Sequence, residues 1–214
     1  MHRTLFTADR PHIVSFSDDK SVKQWDIPTE KCISTHTEHS DYVRAGAINP
    51  VMSELILSGA YNGIVKLYDT KSENAVLTAD HGSPVESVLF LPSGGIFLSA
   101  GGTSIKIWDA RNSNRPLGQI SQHHKTITCL ALGSDNKRLL SGGLDRHVKV
   151  YDVSTFQVVH TIDYPNSVLS LGISRNDDTL VAGLVDGLIS VSRKEEKTKP
   201  ETETKVKRKR LGQR

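Results

Sequence analysis

The chain is poor in residues that carry chemistry by themselves. Only two of its 214 residues are cysteine, Cys32 and Cys129. Two are too few for a disulfide framework and, without clustered histidines, for a structural zinc site; both are expected as buried or half-buried thiols in a reducing compartment. No run of eighteen apolar residues exists, and the opening Met1-His2-Arg3-Thr4-Leu5-Phe6 meets charge too early to hold a signal-peptide core. Neither membrane insertion nor secretion is therefore expected. A G-x-S-x-G nucleophile elbow is missing, and the glycine pairs Gly94-Gly95 and Gly101-Gly102 lack the lysine and helix of a phosphate cradle, so they read as turns. Sustained helical spacing is also absent, which leaves an all-β chain.

What is present is an ordinary soluble balance, 36% apolar and 24% charged, with its charge unevenly placed. Residues 193–214 carry ten Lys and Arg against four Glu, so the remainder of the chain is mildly acidic. This last stretch holds Pro200 and is dominated by Lys, Glu and Thr, a composition that stays disordered. Within it Lys205, Lys207, Arg208, Lys209 and Arg210 place five cations in six residues. Such a cluster suits an import receptor or RNA phosphates. Lacking aromatic residues for base stacking, any RNA binding through it is expected to be salt-sensitive and sequence-blind.

The body is a repeat. Aligning Ser15, Ser58, Ser99, Ser141 and Ala182 gives intervals of 43, 41, 42 and 41 residues. Ten positions later, nine in the third unit, stand Trp25, Tyr68, Trp108, Tyr151 and Ser192, and each aromatic precedes an aspartate. Upstream of the serine column lie His39, His81 and His123, with Tyr164 in that place in the fifth unit. Four residues beyond it come Asp19, Asn62, Asp145 and Asp186; the third unit, one residue short, has lost the carboxylate. Segments such as Val148-Lys149-Val150-Tyr151 and Ile105-Lys106-Ile107-Trp108 alternate as half-buried antiparallel strands do. Turn residues at 18–20, 62–63, 92–95, 135–136 and 176–178 separate them.

These residue types suit one another physically. In a four-stranded blade an imidazole bridges an aspartate in a turn and a serine hydroxyl on a strand, while the serine meets an indole N–H. Such a network satisfies buried polar groups and fixes register. On these residues the chain resembles the WD-repeat family of β-propellers from about residue 3 to 192, which implies a WD40 fold of about five four-stranded blades. The units run 1–36, 37–79, 80–120, 121–162 and 163–192. Tyr68, Tyr151 and Asn62 are departures expected to weaken their networks without abolishing them. The fifth unit keeps only Asp186 and is expected to rest on Val168, Leu169, Leu171, Ile173, Leu180 and Val181. The first unit begins inside its inner strand and the fifth ends after its third, so both terminal blades are expected to be incomplete. An open portion of a seven-bladed ring is expected, with blades missing upstream; a strained five-bladed closure is the alternative.

No catalytic constellation, cofactor or metal site is expected. Each blade's Ser-His-Asp set mimics a triad in composition only, since its serine is committed to the aromatic residue. His123 and His124 are adjacent and point apart, a poor metal pair. A propeller hydrolase needs polar groups converging on the central channel, where the inner strands read as Val, Leu, Ile and Ala. The wording around His39-Ser40-Asp41-Tyr42-Val43-Arg44, His81 to Gly95, His123 to Thr126 and Leu144 to Tyr151 resembles nucleolar WD-repeat proteins of the small-subunit processome. That resemblance implies a noncatalytic scaffold subunit in the nucleolus, supporting pre-rRNA transcription and processing toward 18S rRNA. Its partners would be other subunits of a pre-ribosomal complex, with pre-rRNA or small nucleolar RNA met indirectly or through the basic tail. Loop residues Tyr42, Arg44, Glu86 and Thr126 are candidates for a partner face. An adaptor of a ubiquitin ligase or of chromatin is the alternative reading.

Overall fold

A computed structural model describes residues 1–7, 11–112 and 115–193. The basic cluster Lys205 to Arg210 and the tail expected to be disordered lie outside the described residues. Nineteen strands and no helix make up the described chain. The first blade is β1 (Arg3–Phe6), β2 (His12–Phe16), β3 (Val22–Asp26) and β4 (Lys31–His36). The second is β5 (Val43–Ile48), β6 (Leu55–Ala60), β7 (Ile64–Asp69) and β8 (Ala75–Asp80). The third is β9 (Val85–Phe90), β10 (Ile96–Gly101), β11 (Ser104–Asp109) and β12 (Gly118–Ile120), and the fourth β13 (Ile127–Leu132), β14 (Arg138–Gly143), β15 (His147–Asp152) and β16 (Val158–Asp163). The fifth has three strands among the described residues, β17 (Val168–Ile173), β18 (Thr179–Leu184) and β19 (Ile189–Arg193). Every sheet is an antiparallel meander in chain order, and the inner strands β1, β5, β9, β13 and β17 lie side by side in that order. The first blade has its full count of four strands, its inner strand being only four residues long.

Residues in the left-handed region sit in all five turns anticipated between strands: Lys20, Gly63, Gly94, Asn136 and Asp177. Glycine and asparagine adopt that conformation at small cost. Gly94 also permits a close approach, because the side chain of the buried Asn49 donates from Nδ2 to its carbonyl at 2.8 Å and would meet any Cβ there.

The core lies between blades. Tyr68 of the second blade packs with Val14, Phe16 and Val22 of the first; Trp108 of the third packs with Val65, Leu67 and Ala79 of the second; Tyr151 of the fourth packs with Ile105, Ile107 and Ile120 of the third. The aromatic column therefore points at the preceding blade, driven by apolar area that a single sheet leaves in water. Trp25, on the first blade, is 36% exposed. At the other end Leu169, Val185, Leu188, Ile189 and Val191 are exposed, an uncovered face like that of an open arc.

Three expectations need correction. Cys32 is exposed, because it stands on the outer strand β4 whose first three residues all face water; Cys129 on the inner strand β13 is half-buried. Leu169 does not pack the fifth blade, since a register shift between Val168 and Ser170 turns it outward. The inner strands are not purely apolar either: Arg3, Arg44, Glu86 and Thr128 lie on β1, β5, β9 and β13.

The closeness of the blades sets a test. A Cβ on Gly46 would lie 2.2 Å from the Phe16 ring, between the first two blades. Gly46→Ala is expected to cost about 1–3 kcal/mol by overpacking, read as a lower urea midpoint with an unchanged slope.

Candidate functional site

The serine column occupies the second strand of each blade, where Ser58, Ser99 and Ser141 are fully buried. In the third blade Trp108 Nε1–H donates to Ser99 Oγ at 2.8 Å. His81 Nε2 lies 3.1 Å from the Gly101 carbonyl and its Nδ1 2.7 Å from Ser99 Oγ. A carbonyl only accepts, so Nε2 carries the proton and Nδ1 accepts from the serine hydroxyl. The backbone carbonyl thus substitutes for the carboxylate that this unit lacks.

The fourth blade uses the imidazole the other way round. His123 Nδ1 donates to Asp145 at 2.9 Å, and Nε2 accepts from Ser141 Oγ at 2.6 Å. The Tyr151 hydroxyl stands 3.3 Å from Ser141 Oγ, farther than the indole contact. Asp145 also accepts from the amides of His124 and His147. Burial alone would raise its carboxyl pKa, but the His124 amide and the His123 imidazole hold it below the usual range.

The second blade is less complete. His39 Nε2 meets Ser58 Oγ at 2.6 Å, while its buried Nδ1 has no partner. Asn62 turns away, donating from Nδ2 to Ser40 Oγ at 2.8 Å. The Tyr68 hydroxyl faces Ser58 without a hydrogen bond of good geometry. In the first blade Trp25 Nε1–H donates to Ser15 Oγ at 2.9 Å, and Asp19 caps its turn through the Ser21 amide and hydroxyl.

Burial depresses all three imidazole pKa values, His39 to about 4, with Lys66 adding to the effect and Glu38 opposing it. These imidazoles are neutral clamps. Ser58, Ser99 and Ser141 are fully buried and each is engaged by its histidine, so none faces a space where a substrate could be attacked. Among the described residues no three His, Cys, Asp or Glu side chains could hold a metal ion.

A different cluster faces water. Arg44 and Glu86 are strand residues, not loop residues: each is the extra residue at a register shift, of β5 against β6 and of β9 against β10. Such bulges re-aim a side chain. Arg44 Nη1 lies 3.8 Å from Glu86 Oε1, and its guanidinium carbon is 4.7 Å from the centre of the Tyr61 ring. Tyr61 and Tyr42 are both exposed, and the Tyr61 amide donates to the Tyr42 carbonyl. Thr126, from the fourth blade's entry loop, is half-buried and its carbonyl accepts from the Leu144 amide. Tyr61 was not anticipated. It follows the serine column by three residues, and only the fold reveals its place under Arg44.

Repeated antiparallel sheets carrying a serine column met by histidine or an aromatic residue define a WD-repeat β-propeller domain, and the chain belongs to that family: the WD domain, G-beta repeat, matches residues 30–69, 73–109 and 114–152. The similarity is also more particular. Over 201 residues, 94% of this chain, it is 44% identical to the U3 small nucleolar RNA-associated protein 15 homolog of Xenopus laevis. The human homolog is 46% identical over 164 residues, 77% of this chain and 32% of its own length. U3 small nucleolar RNA-associated protein 15 of Schizosaccharomyces pombe is 40% identical over 178 residues, 83% of this chain and 36% of its own length. The chain spans 39% of the length of the Xenopus laevis relative.

Two outcomes follow from the clamps. Ser99→Ala strands both the Trp108 N–H and the His81 imidazole and is expected to cost about 1–3 kcal/mol, more than Ser58→Ala, in chemical denaturation. Acid acts through His39: an unfolded imidazole titrates near 6.5 and the folded one at about 4. The folded state is therefore fully favoured above the unfolded value and loses stability as pH falls through this window, by about 3 kcal/mol from His39 alone. Urea midpoints measured from pH 7 to pH 4 should fall, and less steeply in His39→Gln.

Proposed function

We propose that the chain is a noncatalytic docking platform in ribosome biogenesis, acting in the nucleolus within a pre-ribosomal complex of the small subunit. The observation that carries this reading is identity of 40–46% to U3 small nucleolar RNA-associated protein 15 and its homologs. The physical reading agrees in kind. Polar groups that would serve catalysis are spent inside the blades, which leaves rigid sheets presenting loops to partners. Such a platform aids assembly by holding other subunits in register near pre-rRNA.

Tyr42, Tyr61, Arg44 and Glu86 form the face we assign to a protein partner. Two exposed phenols beside a paired guanidinium match the residue types that dominate interface energetics. Thr126 borders the same end of the blades. The cluster Lys205, Lys207, Arg208, Lys209 and Arg210 is assigned to nuclear entry or to RNA phosphates, where charge alone suffices.

The tagged chain should concentrate in nucleoli and recover U3 small nucleolar RNA and pre-ribosomal subunits from nuclear extract. Exclusion from nucleoli with recovery of ubiquitin-ligase or chromatin subunits instead would replace this reading with the adaptor one. Tyr42→Ala should reduce partner recovery while shifting the thermal midpoint little, since that side chain is exposed. Replacing the five cations by Gln should lower nuclear accumulation, or lower RNA recovery and flatten its dependence on salt.

A further inference from the structure

One turn of the second blade differs from its counterpart in the fourth by a single side-chain atom. Asn62 and Asp145 both stand four residues beyond the serine column, and in each turn the next residue, Gly63 or Arg146, has a positive φ. The Gly63 amide donates to the Ala60 carbonyl at 3.1 Å, as the Arg146 amide does to that of Gly143 at 3.2 Å. One side-chain oxygen accepts from the amide two residues on, Ile64 at 3.1 Å and His147 at 3.3 Å. The other branch separates the two turns. In Asp145 it is an oxygen that accepts from His123 Nδ1 at 2.9 Å and from the His124 amide at 3.0 Å. In Asn62 it is an NH2, which can only donate; it goes to Ser40 Oγ at 2.8 Å, and the buried Nδ1 of His39 is left without a partner. The reverse orientation would set that NH2 against the Ile64 N–H, so the turn itself fixes which branch faces the histidine.

The chain carries the means of replacing that atom. Asparagine is among the chemically labile residues, and Asn62, which is exposed, is the one asparagine in the sequence that glycine follows. Glycine is kept there by the backbone: φ is +87°, and a Cβ would stand 3.1 Å from the main chain of Ser83. A residue without a side chain leaves its own amide nitrogen unhindered on approach to the preceding carboxamide carbon. The turn joins two strands at the surface, and its local opening frees the Gly63 amide from Ala60 and the Asn62 side chain from Ser40.

We propose that Asn62 is a site of spontaneous deamidation and that its aspartate product completes the clamp of the second blade. The Gly63 nitrogen attacks Cγ of Asn62. A bond forms between them, the Cγ–Nδ2 bond breaks, and Nδ2 leaves as ammonia with the proton that Gly63 gives up. Water then opens the cyclic imide. Addition at Cγ breaks its bond to the Gly63 nitrogen and gives aspartate; addition at the main-chain carbonyl carbon gives isoaspartate, whose extra main-chain methylene does not fit the turn. With aspartate the turn closes as in the fourth blade: His39 Nδ1 donates to the new carboxylate and Nε2 accepts from Ser58. This stands on the likeness of the two turns and does not depend on which assembly the chain serves.

The test has two arms. The 214-residue chain is held in mildly alkaline buffer and sampled by peptide mapping with mass spectrometry. Conversion at Asn62 should run several times faster than at Asn112 or Asn166, each of which serine follows. In the second arm Asn62→Asp, which is the product itself, should raise the urea midpoint above that of the wild-type chain, and the gain should vanish in a His39→Gln background. An Asn62 that stays an amide while Asn112 or Asn166 converts would overturn the proposal. So would an Asn62→Asp chain that misfolds, gains no stability, or gains as much when His39 is replaced.

Discussion

A single blade is a twisted sheet with apolar residues on both faces, and it cannot hide either face by itself. The chain meets this constraint by giving each blade an aromatic ring that lies against the blade before it. Tyr68, Trp108 and Tyr151 are among the largest fully buried side chains in the molecule. Everything else follows from this wedge. It sets the order of the inner strands, requires the backbone to close up at Gly46 and Gly94, and decides which ends lie bare. At Trp25, on the first blade, the ring is partly in water. Where the wedge is replaced by serine, at Ser192, the packing is incomplete.

A wedge with a polar edge needs a partner inside the protein, and the serine column supplies it. The indole N–H of Trp108 would be costly to bury alone; Ser99 accepts its hydrogen bond and donates its own to His81. The same residue types that hydrolases use are here consumed by structure. Their histidines are neutral because burial disfavours the charged form, and a neutral imidazole is what the serine hydroxyl requires as acceptor. Surface chemistry is left to residues that the clamp does not use, chiefly at the bulges of the inner strands.

The repeat made the sheets legible because its period is written in side chains that must be buried together. Serine, histidine and aromatic residues recur at fixed distances only if each returns to the same place in a blade. The turns were legible for a similar reason, since Asn136 and Asp177 suit the left-handed backbone they adopt. What the sequence hid was register. A one-residue bulge moves Leu169 from core to solvent and makes strand residues of Arg44 and Glu86, and no local pattern marks it. Exposure of Cys32 was hidden likewise, because the alternation of an outer strand says which residues share a face but not whether anything covers it. The ring of Tyr61 beneath Arg44 joins residues that only the fold brings together.

Each sheet packs chiefly against the sheets next to it in the chain. In such an array local opening is easiest where a sheet has a described neighbour on one side only. The amides of β10 and β11, flanked on both sides, are then the best protected, and those of β18 and β19 the least. Exchange with deuterated solvent would thus vary from sheet to sheet, fastest at the blade whose ring is missing.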